Sequence, residues 1–213
     1  MIISHKHKFI YIKTKKTAST SIEIALSAIC GPDDIITPIT PRDEVLREEA
    51  GFRVAQNYEK SGLKYYNHIS AKDVREMVGE EIWSSYYTFT FERNPFDKVI
   101  SWYYWDRQFY VDLSLRQFFR SGLYKDVGGP GGYDLYTDND EVIVDKIYLF
   151  EELTEALKDL AQRFEVDELP TLTRAKSEFR VDKRPYQEIL SPKQQFQINE
   201  AFQREIKLFG YTY

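Results

Sequence analysis

Short apolar runs alternate with stretches of helical apolar spacing along this chain, and that alternation constrains the fold more than any other sequence feature. Residues 9–12 and 86–91 are apolar or aromatic runs that predict strands, and residues 143–150 form a further apolar run. Helical spacing follows each run, over residues 21–29, after Pro95 and over residues 153–164. This order predicts an α/β fold of three layers, in which helices flank an open and mostly parallel sheet.

Two helix starts carry complete capping signals. Thr20 is followed three residues later by Glu23, which predicts a capping box at the first helix. Ser191 has Gln194 in the box position, so a last helix is predicted to begin there and to end near Gly210.

Length, charge and cysteine content limit the class of protein. The chain fits one domain over residues 1–213, and 29 Lys and Arg against 34 Asp and Glu give a net charge of −5, which argues against a coat for nucleic acid. The lone Cys30 excludes a disulfide framework and a CxxC zinc site. Apolar stretches are too short to span a membrane, and residues 1–8, with His5 and His7, are interpreted as a ragged start without a signal peptide. We therefore expect a soluble, cytoplasmic protein with no metal, nucleic acid or membrane partner.

One segment differs in composition from the rest of the chain. Residues 126–145 contain the run Gly128-Gly129-Pro130-Gly131-Gly132 and several acidic residues. This composition predicts a mobile, acidic loop within the domain.

The turn between the first strand and the first helix is basic and rich in hydroxyl groups. Lys13 to Ser21 reads Lys-Thr-Lys-Lys-Thr-Ala-Ser-Thr-Ser. A helix N-terminus that offers free N–H groups, together with lysines and hydroxyls, predicts a phosphate-binding loop. A solvated basic turn is the alternative. The nucleotide P-loop pattern GxxxxGK(S/T) is excluded, since no glycine occurs before Gly31.

A second strand-to-helix turn carries an arginine and a serine at a fixed spacing. Arg93 ends the strand, Asn94 and Pro95 open the next helix, and Ser101 lies eight residues after the arginine. The planar guanidinium suits bidentate binding of a phosphate dianion, and the serine lies two helical turns further on the same face. A surface pair of an arginine and a glutamate is the alternative.

Both turns resemble motifs of sulfotransferases that use 3′-phosphoadenosine 5′-phosphosulfate (PAPS). The first resembles the 5′-phosphosulfate loop, most closely that of the carbohydrate, uronyl 2-O-type branch, and the second resembles the 3′-phosphate motif. The resemblance covers most of the chain, and it is weakest in residues 31–63 and 126–141. It implies a P-loop-like sulfotransferase fold with PAPS as the donor. The donor-binding residues that it implies are Lys16, Thr17, Ala18, Ser19, Thr20, Ser21, Arg93 and Ser101.

A basic cluster near the C-terminus matches the place where this family closes a loop over the nucleotide. Its members are Arg174, Lys176, Arg180, Lys183 and Arg184. Arg180 and Arg184 are the favoured phosphate contacts, and solvated surface charge is the alternative for each.

His68 is the candidate general base, and Lys16 is the second candidate catalytic residue. His68 lies before Ser70, which is predicted to cap a helix, so the histidine falls at another strand-to-helix turn. In uronyl 2-O-type enzymes a histidine at the matching place, often in a His-x-His pair, is the proposed base. Here Tyr66 replaces the first histidine of that pair. A structural histidine is the alternative, and the carboxylates of Glu92, Asp97, Glu151 and Glu152 are further candidates for the base.

The predicted reaction is therefore transfer of the sulfuryl group from PAPS to a hydroxyl group, with release of PAP. A saccharide or a small hydroxylated metabolite is the expected acceptor, and the oligomeric state is left open. A nucleotide-dependent kinase and a sulfotransferase-like module that binds nucleotide without turnover remain as alternatives.

Overall fold

The computed structural model describes residues 1–60, 62–106, 113–172 and 180–213, and these ranges alternate strands and helices. The strands are β1 (Ile2–Ser4), β2 (Phe9–Tyr11), β3 (Ile35–Ile36), β4 (Glu59–Lys60), β5 (Leu63–Lys64), β6 (Tyr87–Glu92), β7 (Thr137–Asp138), β8 (Glu141–Val142) and β9 (Lys146–Leu149). The helices are α1 (Ser19–Ser27), α2 (Pro41–Glu49), α3 (Ala71–Val78), α4 (Glu80–Ser85), α5 (Pro95–Asp106), α6 (Leu115–Ser121), α7 (Leu153–Arg163), α8 (Tyr186–Ile189), α9 (Pro192–Ala201) and α10 (Gln203–Phe209). In the described ranges no helix is long and apolar enough to cross a membrane.

A central five-stranded sheet has the strand order β3-β1-β2-β6-β9. Its centre is parallel, since β6 pairs in parallel with both β2 and β9. Strand β1 adds two antiparallel pairs, one with β2 and one with the edge strand β3. Because β2 and β6 are parallel neighbours, their carboxyl ends meet at one edge of the sheet, where ligands bind in open α/β folds.

Helices cover both faces of this sheet, which confirms the α/β class. The first core cluster packs α1 and α7 against one face and includes Leu26, Phe89 and Leu160. The second packs α3 and α4 against the other face through Val74 and Trp83. A third apolar cluster joins α5, α6, α9 and α10.

The N-terminus is a buried strand, so its prediction as a ragged start is wrong. The apolar run at Met1 to Ile3 is fully buried and pairs with β2 and β3. His5 and His7 are part-buried and hydrogen-bonded: His5 Nδ1 lies 2.8 Å from the Tyr86 hydroxyl, and His7 Nε2 lies 3.0 Å from the Ile29 carbonyl. Apolar residues at the first positions thus supply the strand that extends the sheet beyond β2.

The capping box predicted at Thr20 and Glu23 does not form. Helix α1 begins two residues earlier, after Ala18, and no side chain caps it. Glu23 is instead fully buried, with its carboxylate 2.6 Å from Lys13 Nζ and 3.3 Å from Arg47 Nη2. The Met1 amino group lies 3.2 Å from the same carboxylate. Ion pairing in the core replaced the local cap because three cations converge on Glu23.

The other capping signals are confirmed. Asn94 Oδ1 accepts a hydrogen bond of 3.0 Å from the Phe96 amide at the start of α5. Ser191 and Gln194 form a complete capping box at α9. The last predicted helix is two helices, α9 and α10, which meet at Phe202, and Gly210 ends α10 in the left-handed conformation.

Residues 126–145 are packed, which corrects the prediction of a mobile loop. They form 3₁₀ turns and the β7–β8 hairpin, and Val127 and Tyr136 are fully buried. The glycines permit this packing because they let the segment approach its neighbours closely. The Gly131 carbonyl accepts a hydrogen bond of 2.7 Å from the Lys15 amide, so the segment supports the first strand-to-helix turn.

We expect Gly131→Ala to destabilise the protein by about 1–3 kcal/mol, the usual effect of overpacking. A Cβ atom at this position would overlap the Asp126 carbonyl oxygen and lie 2.7 Å from Lys15 Cδ. Urea unfolding measures the loss. Gly31→Ala is the matched control, since its Cβ would meet nothing closer than 3.4 Å. Equal stability of the two variants would contradict the packing described here.

Candidate functional site

The first strand-to-helix turn adopts left-handed backbone conformations without glycine. Lys16 has φ 63° and Ala18 has φ 58°. Thr17 lies between them, and its buried hydroxyl is 3.0 Å from the Thr14 hydroxyl, directed away from solvent. Strained conformations of this kind concentrate at ligand-binding loops. The turn leads into the N-terminus of α1, which offers N–H groups and a partial positive charge to an anion.

The second turn places Arg93 beside the first. Arg93 Nη1 donates a hydrogen bond of 3.2 Å to the Lys16 carbonyl, and its guanidinium stacks 4.0 Å from the centre of the Phe150 ring. Arg93 also pairs with Asp97 one helical turn later through Nε and Nη2. The sequence pattern therefore identified the arginine, while its carboxylate partner is Asp97 and not a glutamate.

Both turns open into one cavity of about 670 Å³. The described residues that line it are Lys15, Lys16, Ala18, Ser19, Thr20, Ser21, Thr40, Asn67, His68, Arg93, Ser101, Trp102, Trp105, Phe150, Leu153, Leu172, Arg180 and Lys183. Five of these residues are lysine or arginine, and none of them is aspartate or glutamate. This charge distribution suits a ligand with several negative charges.

Nine of the residues predicted from the sequence thus lie around one cavity, and two do not. Thr17 is directed into the fold through its contact with Thr14. Arg184 is exposed and paired with Asp182 at 2.7 Å, outside the described lining. Arg174 and Lys176 of the basic cluster lie outside the described residues.

The geometry of His68 fixes its tautomer. His68 Nδ1 lies 2.8 Å from the Lys13 carbonyl oxygen. A carbonyl only accepts, so Nδ1 carries the proton and Nε2 keeps its lone pair. Burial, with the positive charge of Lys13, lowers the pKa of His68 to about 3, so the ring is neutral near pH 7. A neutral imidazole with a free Nε2 is the form that accepts a proton.

Three of the four carboxylates considered as alternative bases, all except Glu152, are engaged elsewhere. Glu92 is buried and lies 2.6 Å from Lys98 Nζ. Asp97 accepts hydrogen bonds from two arginines, and Glu151 accepts from the Asn94 amide at 2.8 Å and from the Tyr211 hydroxyl at 3.2 Å. In the described part of the chain, no group of three or more His, Cys, Asp or Glu side chains is arranged to hold a metal ion.

Sequence reasoning missed the aromatic wall of the cavity. Trp102 and Trp105 lie three residues apart on α5 and stack with ring centres 4.7 Å apart. Lys15 Nζ lies 5.4 Å from the Trp102 ring centre and Lys16 Nζ lies 5.5 Å from that of Trp105. Their helical spacing directly after Ser101 was the available signal, because residues three apart share a helix face.

Comparisons with known proteins agree with the fold. A relative from Archaeoglobus fulgidus, an uncharacterized protein, is 35% identical over 101 residues, which are 45% of this chain and 81% of that protein. The crystal structure of mouse sulfotransferase SULT7A1 complexed with PAP aligns over 95% of this chain and 86% of its own, with a TM-score of 0.55 and 14% identity.

A sulfotransferase structure from Alicyclobacillus acidocaldarius aligns over 97% of this chain and 87% of its own at 16% identity. Its TM-score of 0.39 is too low to support a conclusion about the fold. The model of the sulfotransferase family matches residues 1–121, which include both strand-to-helix turns and His68. The chain therefore belongs to the sulfotransferase family.

Proposed function

We propose that this protein transfers the sulfuryl group of PAPS to a hydroxyl group of an acceptor and releases PAP. The observation that carries the proposal is the single cavity in which Lys16, Arg93 and His68 meet, lined in its described part by five cations and no carboxylate. A nucleotide with a 3′-phosphate and a 5′-phosphosulfate has charges that match such a lining.

Donor binding is assigned to the two strand-to-helix turns. Lys16 and the N-terminus of α1, with Ser19, Thr20 and Ser21, would hold the 5′-phosphosulfate. Arg93 and Ser101 would hold the 3′-phosphate, because a guanidinium binds phosphate bidentately. Phe150, Leu153 and Leu172 add an apolar wall at the same cavity. Mouse SULT7A1 is complexed with PAP in its crystal structure, which favours the same nucleotide here.

PAPS, when bound, supplies the sulfuryl group. His68 Nε2 would accept the proton of the acceptor hydroxyl. At the same time the hydroxyl oxygen would bond to sulfur, and the bond between sulfur and the phosphate oxygen of PAPS would break. Lys16 would stabilise the negative charge that develops on that leaving oxygen. Positioning dominates such in-line transfers, so the cavity walls and the two turns contribute as much as the base.

The acceptor side is assigned to the aromatic wall. Trp102 and Trp105 offer apolar ring faces near Lys16, and Thr40 and Asn67 add polar groups to the lining. This combination suits a ring-bearing acceptor with hydroxyl groups, since apolar faces pack on aromatic rings and hydroxyls require partners. A saccharide or a small hydroxylated metabolite fits that description.

We expect PAP to raise the melting temperature much more than ATP with Mg²⁺, because a ligand that binds only the native state stabilises it by mass action. Differential scanning fluorimetry measures both shifts. Equal stabilisation of the wild type by PAP and by ATP with Mg²⁺ would instead favour a kinase.

Arg93→Ala should remove about 1.5–3 kcal/mol of the free energy of PAP binding, the range for a hydrogen bond to a charged group, and leave 5′-AMP binding nearly unchanged.

His68→Asn should lower kcat by about 10²–10⁴-fold, the usual contribution of a general base, while PAP affinity stays near that of the wild type. Asparagine is the informative replacement because His68 has φ 61°, a conformation that asparagine tolerates. Turnover of labelled PAPS measures the effect, and His7→Asn is a matched control outside the cavity. Full activity of a folded His68→Asn protein would exclude the histidine as base.

The His68 ring should stay neutral with the proton on Nδ1 from pH 8 down to pH 5, since its pKa is lowered to about 3. An ordinary histidine would gain a proton in that range, with a midpoint near 6.5. NMR titration of the ring in the ligand-free protein measures this directly. A midpoint above pH 6 would show that the His68 ring is solvated and not buried as described here.

A further inference from the structure

Two arginines at the cavity share one carboxylate. Asp97, in the first turn of α5, accepts hydrogen bonds from Arg93 Nε at 2.9 Å through Oδ2 and from Arg180 Nη1 at 2.6 Å through Oδ1. The Arg93 Nη2 group also donates to Oδ2. The two arginines come from segments more than eighty residues apart, so Asp97 joins the second strand-to-helix turn to the C-terminal region.

All three side chains are shielded from solvent. The exposed fraction is 12% for Arg93, 20% for Arg180 and 22% for Asp97. Burial alone would raise the pKa of Asp97, but the two guanidinium groups hold that pKa below its usual value. The carboxylate is therefore charged at neutral pH, and it offsets the repulsion between two cations held near each other.

Arg93 and Arg180 share Asp97 as a partner, and their other contacts differ. Arg93 is further held by the Lys16 carbonyl and by the Phe150 ring. Arg180 donates from Nε to the Asp182 carbonyl at 3.0 Å and from Nη2 to the Arg184 carbonyl at 2.7 Å, which folds the segment 180–184 around its guanidinium.

Both arginines line the cavity, whereas Asp97 is not among the described lining residues. An effect of Asp97 on a ligand would therefore pass through the arginines, which makes it a positioning residue.

We propose that Asp97 sets the selectivity for a 3′-phosphorylated nucleotide by holding Arg93 and Arg180 together at one end of the cavity before the ligand arrives. This inference rests on the proposed function. Two long side chains that are already ordered lose less conformational entropy when they bind a phosphate. Only a ligand with a phosphate at that end contacts the two ordered arginines. Their order therefore raises the affinity for that ligand alone, which is selectivity.

The sign of the effect separates positioning from simple electrostatics. Removing the charge of Asp97 makes the cavity more positive, and a purely electrostatic role predicts tighter binding of every anionic nucleotide. A positioning role predicts the opposite for a 3′-phosphorylated ligand and little change for a ligand without that phosphate.

The experiment compares PAP and 5′-AMP by isothermal titration calorimetry in the wild type and in Asp97→Asn. We expect the preference for PAP over 5′-AMP to fall about tenfold, the order of the cost of immobilising one or two long side chains on binding. Asp134→Asn is the matched control, because it also removes an aspartate paired with an arginine, here Arg204, and neither residue is among the described cavity lining. Its nucleotide preference should equal that of the wild type.

Each outcome has one meaning. Tighter PAP binding in Asp97→Asn, or an unchanged preference, would overturn the positioning role while the proposed function stands. A wild type without any preference for PAP would overturn the proposed function and this inference with it.

A second variant covers the case in which Asp97→Asn does not fold. Asp97→Glu keeps the charge but moves the carboxylate by one methylene group. Positioning predicts an intermediate loss of PAP preference in this variant, and an unchanged preference would overturn it.

Discussion

The buried carboxylate of Glu23 is the interaction on which the site depends. It lies inside the fold with no exposed surface and pairs with Lys13 and Arg47. A buried charge is stable only when it is paired, so the fold must bring these cations together around it. The Lys13 carbonyl in turn holds His68 Nδ1. One ion-pair cluster therefore fixes the start of the first turn and the orientation of the candidate base.

The sheet explains why two distant sequence motifs form one site. Strands β2 and β6 are parallel neighbours, and the Thr90 hydroxyl donates to the Ile12 carbonyl at 2.8 Å near their carboxyl ends. The turns that follow these strands are separated by more than seventy residues in sequence, yet Arg93 reaches the Lys16 carbonyl at 3.2 Å. Any chain that places phosphate-binding turns after adjacent parallel strands obtains this convergence from topology alone.

Local signals were enough to predict the three parallel strands of the sheet, the helices that follow them and the two turns. The α/β class followed from the alternation of strands and helices, and Arg93 and Ser101 were identified because their spacing resembles that of the family's 3′-phosphate motif. Long-range contacts could not be predicted in this way. Glu23 fits a local capping box in the sequence, but cations from residues 13 and 47 decide its position. The glycines of residues 128–132 suggest a flexible loop in the sequence. In the structure the Lys15 amide donates a hydrogen bond to the Gly131 carbonyl, a contact that the local sequence does not reveal.

The left-handed residues of the first turn have a thermodynamic consequence. Placing Lys16 and Ala18, which are not glycines, in this conformation costs about 1–2 kcal/mol each. A glycine-rich phosphate loop avoids that strain but loses more backbone freedom when it becomes ordered. In this chain the turn is ordered when the protein folds, so the strain lowers the free energy of unfolding of the ligand-free protein. If this turn holds the donor as proposed, it has little backbone entropy left to lose at the moment of binding.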